Sequence, residues 1–151
     1  LYIQLYSTME RKAFLRSLGA GAAFALVFPC VQGCSSDSDG DPGQEVPTGV
    51  DFTIDLSGPD GVSLQNNGDF IIRNDVVVAR NLQGVFVAAS RICSHEQNAG
   101  VSFVEVQGGI FECEVHGSRF DQNGAPLNTI TQNPLKIFNT DLQGDLLRVF
   151  E

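Results

Sequence analysis

Tryptophan is absent, methionine occurs once, and Lys12 and Lys136 are the only lysines in 151 residues. Two lysines cannot form a polybasic patch for an anionic membrane surface. Nine basic residues against 18 acidic ones, a formal net charge of −9, argue against a nucleic-acid interface, which needs clustered Lys and Arg. Four cysteines are too sparse for a disulfide scaffold. Two histidines, His95 and His116, rule out by counting any site that needs three. With 18% charged residues and sixteen glycines, the chain reads as a turn-rich, β-rich globule rather than a helical bundle or coiled coil. Its length is that of one domain.

The few basic residues are unevenly placed. Glu10-Arg11-Lys12-Ala13-Phe14-Leu15-Arg16 follows Met9, and an apolar stretch of 11 residues runs from Leu18 to Phe28. A membrane-spanning helix needs roughly 17–25 apolar residues, so this stretch reads as the core of a signal peptide. Arg11-Lys12-Ala13-Phe14-Leu15-Arg16 resembles a twin-arginine signal with Lys in the second position, a route that exports proteins already folded. Val31-Gln32-Gly33-Cys34, followed by Ser35, resembles a bacterial lipobox, which makes Cys34 the expected lipid anchor. Removing residues 1–33 takes away three bases and one acid, leaving six basic and 17 acidic residues and a net charge of −11.

Residues 35–49 contain four acids, no base and no aromatic residue. Such a segment buries too little apolar surface to offset its ordering entropy, and it reads as a tether holding a domain away from a membrane. The expected organisation is an upstream and signal segment at 1–33, a lipidated cysteine and tether at 34–49, and a folded domain at 50–151.

From Val50 the pattern becomes that of strands. Val50, Phe52, Ile54 and Leu56 alternate with Asp51, Thr53 and Asp55, the period of a half-buried strand. Further short apolar or alternating runs span 70–72, 76–79, 85–89, 101–106, 110–115, 135–138 and 146–150. Gly58-Pro59-Asp60-Gly61 and Asn66-Asn67-Gly68-Asp69 are turn signals, and residues 141–145 read as a hairpin turn. No segment sustains a 3.6-residue period. The expectation is an all-β sandwich or barrel.

Two of the cysteines and both histidines form two clusters. Cys93-Ser94-His95 is followed after 17 residues by Cys113-Glu114-Val115-His116. Each cluster closes a predicted strand and opens into a loop, so two adjacent loops converge four ligands on one site. Thiolate and imidazole suit zinc, iron–sulfur or copper and not Mg²⁺ or Ca²⁺. Incidental burial of the four residues and a structural Zn²⁺ site are the alternatives, but zinc fingers usually pair Cys with Cys and His with His along the chain. Here each loop supplies one of each.

One Cys and one His per loop resembles the Rieske [2Fe–2S] family, in which one iron takes two Cys and the other two His. Cys113-Glu114-Val115-His116-Gly117-Ser118-Arg119-Phe120-Asp121 resembles the second ligand loop of that family. Gly124-Ala125-Pro126-Leu127 and Asn133-Pro134-Leu135 are similar to the segments that follow it, and the resemblance covers roughly Phe52 to Phe150. It implies an antiparallel β-sandwich or barrel with a small cluster-binding subdomain made of two ligand loops, and one [2Fe–2S] cluster per chain. Cys93 and Cys113 are implied to bind the buried iron, and His95 and His116 the outer one.

The departures from the family pattern also carry information. The disulfide-forming cysteines of cytochrome bc Rieske proteins fall here on Asn98 and Val115, so the chain resembles the disulfide-free Rieske ferredoxins. Ser118 matches a serine whose hydroxyl donates to a cluster sulfur, whereas the tyrosine giving a second such bond falls on Phe120. A charge-assisted bond of roughly 1.5–3 kcal/mol corresponds to roughly 65–130 mV for one electron, which places the expected potential between ferredoxin-like and bc-type values.

The functional expectation is a one-electron carrier in an exported, lipid-anchored redox chain on the periplasmic or cell-surface side of a bacterial membrane. Its acidic surface favours a redox protein or enzyme partner with a basic docking patch. The alternatives are the small electron-transfer subunit of an exported oxidoreductase and a quinol-oxidising subunit of a cytochrome bc-like complex. A Rieske oxygenase needs a further iron held by two His and a carboxylate. Both histidines are already committed here, so no independent catalytic site is visible.

Overall fold

Four consecutive small apolar residues, Val76-Val77-Val78-Ala79, form the most deeply buried strand. A computed structural model describes residues 43–151 of the chain. The signal segment, the lipobox with Cys34, and the tether up to residue 42 lie outside the described residues.

The strands are β1 (Asp51–Asp55), β2 (Phe70–Arg73), β3 (Val76–Arg80), β4 (Phe86–Ser90), β5 (Val101–Val104), β6 (Ile110–Cys113), β7 (Arg119–Phe120), β8 (Ile137–Gln143) and β9 (Leu146–Phe150). A single four-residue α-helix, α1 (Pro59–Val62), with proline in its first turn, and a 3-10 turn at Val106–Gly108 interrupt them among the described residues. Six strands form one antiparallel sheet in the order β1-β9-β8-β4-β3-β2, and β5-β6-β7 form a second. The nearly all-β architecture is the one expected.

β3 is shared by two cores, one on each of its faces. Alternate residues of a strand face opposite sides, and on β3 both sides are apolar. Val77 and Ala79 join Val101, Phe103, Phe111, Phe120, Leu135, Cys93 and Cys113 in the core beneath the smaller sheet. Val76 and Val78 join Ile54, Leu64, Ala88, Phe138, Leu147 and Val149 in a second core. The two cysteines are therefore part of the packed interior, at the end where the smaller sheet opens into loops.

The last hairpin differs from its expected form. Residues 141–143 continue β8 instead of forming the turn, pairing Asp141 with Arg148 and Gln143 with Leu146. The reversal is confined to Gly144 and Asp145, with Gly144 at φ 61°. Asn139 and Asp141 are exposed and the Thr140 hydroxyl donates to the Phe86 carbonyl at 2.9 Å, and this polar run resembles loop composition. The strands expected at 101–106 and 110–115 end at Val104 and Cys113. After Val104 the chain turns through Gln107, Gly108 and Gly109, all at positive φ. After Cys113 the backbone leaves the sheet to form a ligand loop.

Candidate metal centre

The two clusters become neighbours through one strand pair. Val101 at the start of β5 faces Cys113 at the end of β6. The loop preceding β5 therefore lies beside the loop leaving β6, and the Glu114 N–H donates to the Gly100 carbonyl at 2.9 Å between them. A side chain at Gly100 would force its neighbours to shift: an added Cβ would lie 2.7 Å from Val115 Cγ2 and 3.2 Å from Cys113 Sγ.

Both loops close in the same way. In the first, the Cys93 N–H donates to the Asn98 carbonyl (2.9 Å) and the Gln97 N–H to the Cys93 carbonyl (2.9 Å). In the second, the Cys113 N–H donates to the Ser118 carbonyl (2.9 Å) and the Gly117 N–H to the Cys113 carbonyl (2.8 Å). The fourth residue after each cysteine adopts a left-handed conformation, Gln97 at φ 53° and Gly117 at φ 72°. The centre is thus built from two copies of one closed turn, each with a buried Cys at its base and a His near its tip.

A third segment braces both loops. Ser94 Oγ donates to the Asn133 carbonyl at 2.8 Å, and Asn133 Nδ2 returns a longer contact of 3.4 Å to the Ser94 carbonyl. Asn128 Nδ2 donates to the Gly117 carbonyl at 2.7 Å. These asparagines lie in the segment that joins β7 to β8; Asn133 opens the Asn133-Pro134-Leu135 stretch noted in the sequence, and Asn128 carries no signal of its own there.

The four expected ligands meet across the two loops as a cysteine pair and a histidine pair. Cys93 and Cys113 are buried free thiols, close enough for one to shift the other's pKa. Burial pushes the Cys113 thiol up; the N–H groups of Val115 and His116, aimed at the same sulfur, pull it down, and the neighbouring Cys93 pushes it up again. The imidazoles of His95 and His116 meet edge to face, centroids 5.1 Å apart and planes at 88°. His116 is the more exposed, with 40% of its side chain accessible against 27% for His95.

Two buried polar atoms beside these ligands find no hydrogen-bond partner among the described residues, His95 Nδ1 and Ser118 Oγ. A buried polar atom left unpaired costs about 1–3 kcal/mol, so each implies a group that completes it. Paired thiols, an unpaired imidazole nitrogen and an unpaired hydroxyl form a donor set suited to an iron–sulfur centre with mixed ligation.

Sequence reasoning missed one residue. Glu96 reaches over the histidine pair, its Oε2 3.5 Å from His116 Nε2 and its Oε1 4.0 Å from His95 Nε2. One atom from each of His95, Glu96 and His116 falls within 4.8 Å of the others. An acidic residue on an exposed loop ordinarily reads as a solvated charge; its position next to His95 was the available signal.

A family model described as the Rieske [2Fe-2S] domain matches residues 44–139. Among solved structures, dicamba monooxygenase bound to dicamba aligns with 68% of this chain at 17% identity and a TM-score of 0.51. The alignment spans 34% of the monooxygenase chain, about a third of its length, so the likeness is one of fold. The Sphingomonas yanoikuyae B1 ferredoxin aligns over 57% of this chain and 88% of its own, at 21% identity and a TM-score of 0.45. No curated protein matches the sequence.

Proposed function

The chain belongs to the Rieske [2Fe-2S] domain family, and from that membership we propose that it is a one-electron carrier in an exported, membrane-anchored redox chain. The observation that carries this reading is the pair of matching closed loops, each presenting one buried Cys and one more accessible His. A bound [2Fe–2S] cluster supplies reversible one-electron chemistry. Cys93 and Cys113 would hold it from the core side, and His95 and His116 from the solvent side. The chain has no third histidine for another iron site of the two-His, one-carboxylate kind.

The residues around the ligand pair set how an electron is exchanged. His116 is accessible at the tip, with exposed Val115 before it and exposed Ile130 packed near Gly117 after it. Glu96 adds a carboxylate to the same face. A protein partner with an apolar centre and basic rim fits this surface, and opposite charges speed such encounters. A quinol is less well suited, because the Glu96 carboxylate already faces both Nε2 atoms.

Support for anchoring comes from the sequence and from where the chain enters the domain. The Gln44 N–H donates to the Gln97 carbonyl at 3.0 Å, so the chain arrives beside the first ligand loop. A lipid on Cys34 would then leave this end within the reach of nine residues, about 30 Å when extended. A partner at the membrane surface is favoured accordingly, on the periplasmic or cell-surface side.

Two measurements on the full chain from its native host type test the proposal. Coulometric titration is expected to show one reversible electron per chain, and metabolic labelling with a fatty acid is expected to mark the wild type and not Cys34→Ala. A colourless, zinc-containing protein would remove the electron-transfer reading. Equal labelling of both proteins would remove the anchor alone.

A further inference from the structure

Glu96 is the exposed acid whose surroundings are hardest to explain as simple solvation. Its side chain is 56% accessible, yet both carboxylate oxygens are turned to the histidine pair. The loop that carries it is held on either side, by the Cys93 N–H to Asn98 bond and the Gln97 N–H to Cys93 bond. Among the described residues no Lys or Arg lies within 4.0 Å of it: Arg73, Arg119, Lys136 and Arg148 pair with Asp60, Glu112, Glu151 and Asp51, and Arg80 and Arg91 form no ion pair. At that range the carboxylate faces the two imidazoles.

We propose that Glu96 is a positioning residue that holds the reduction potential down by setting its carboxylate against the outer Nε2 edges of both His95 and His116. The inference rests on the electron-carrier reading and deepens it. Two effects of the same sign produce it. Reduction of a bound cluster would add one electron, so one negative charge would arrive close to a fixed one, and like charges at this range repel. The carboxylate also attracts the Nε2 hydrogens, making each imidazole a stronger donor through its other nitrogen. Both favour the oxidised state. The partial exposure of Glu96 weakens the effect through solvent screening without reversing its sign.

Protein-film voltammetry of the cluster-loaded full chain tests this, comparing wild type with Glu96→Gln and with Asp141→Asn, which removes the same charge from an exposed site on β8. Glu96→Gln is expected to raise the potential clearly more than Asp141→Asn, and Glu96→Asp to keep it nearer wild type than Glu96→Gln does. An unchanged or lowered potential in Glu96→Gln, or a rise equal to that of Asp141→Asn, would overturn the proposal. Glu96→Ala serves the same comparison if the Gln variant does not load. Failure of both to load also overturns it, because Glu96 would then be needed to hold the centre. A wild-type chain lacking redox-active iron would instead defeat the electron-carrier reading beneath it.

Discussion

Replacing Ser118 with alanine separates two roles that one buried hydroxyl can play. The residue is fully buried, and its Oγ has no protein partner among the described residues. Its carbonyl, which closes the second ligand loop, accepts from the Cys113 N–H and survives the substitution. Only the hydroxyl is lost. If that hydroxyl donates to the cluster, the bond to the reduced form is charge-assisted, about 1.5–3 kcal/mol, and the bond to the oxidised form nearer about 0.5–1.5 kcal/mol. The potential reads the difference, about 1–1.5 kcal/mol, which for one electron is a fall of about 45–65 mV in Ser118→Ala. The cluster-free protein gives the opposite readout. There the hydroxyl is an unpaired buried group, so Ser118→Ala should melt no lower than wild type, and higher if the full desolvation cost of about 1–3 kcal/mol is relieved. Voltammetry of the loaded protein and thermal melting of the cluster-free protein measure the two effects. An unchanged or raised potential would refute the reasoning.

Further expectations follow from the loops and the core. Gly100→Ala places a methyl group against Val115 Cγ2 and Cys113 Sγ, so iron per chain should fall sharply on purification; full loading would show that the loops can separate. The left-handed turns predict opposite signs at equivalent positions. Gln97→Gly removes a strain of about 1–2 kcal/mol, partly offset by glycine's entropy, while Gly117→Ala introduces that strain. Urea unfolding should show the first slightly more stable and the second less stable than wild type. Phe111 is fully buried and stacks edge to face on Phe103 at 5.6 Å. Phe111→Ala should lose about 3–5 kcal/mol, much of the total for a domain of this size, visible as a large fall in Tm.

Acid sensitivity has a sign that can be worked out. The hydrogen bond from Arg148 holds Asp51 below its usual value of 3.8, and that from Lys136 holds Glu151 below 4.5. Carboxylates depressed by folding stabilise above their ordinary values, and that contribution is lost as pH falls through their folded values. Asp51→Asn combined with Glu151→Gln should therefore flatten the decline in stability below about pH 4, measured by urea unfolding across pH. An unchanged slope would show that these exposed pairs contribute nothing.

The alternation of Val50 to Leu56 and the apolar run at 76–79 made strands legible, because one- or two-sided burial writes itself directly into hydrophobic pattern. The two-residue β7 left no such trace, since Arg119 and Phe120 are too few to establish a period. β8 was obscured where its exposed residues are polar. The Cys and His clusters could be read because their residue types are rare here and their chemistry is specific. Glu96 and the bracing asparagines Asn128 and Asn133 use common residues, and their roles depend on which loops pass beside them. The equivalence of the two loops was hidden for a related reason: the same left-handed position holds glycine in one loop and Gln97 in the other, so only the backbone bonds reveal it.

The central claim is that Cys93, His95, Cys113 and His116 together hold one iron–sulfur centre. Pulsed EPR of the reduced protein, grown with ¹⁵N-histidine, tests it most directly. The ligand set predicts coupling from the nitrogens of two histidines, with loss of one set in each of His95→Cys and His116→Cys that still loads. A paramagnetic cluster with no histidine coupling, or a protein holding zinc and giving no signal on reduction, would contradict it.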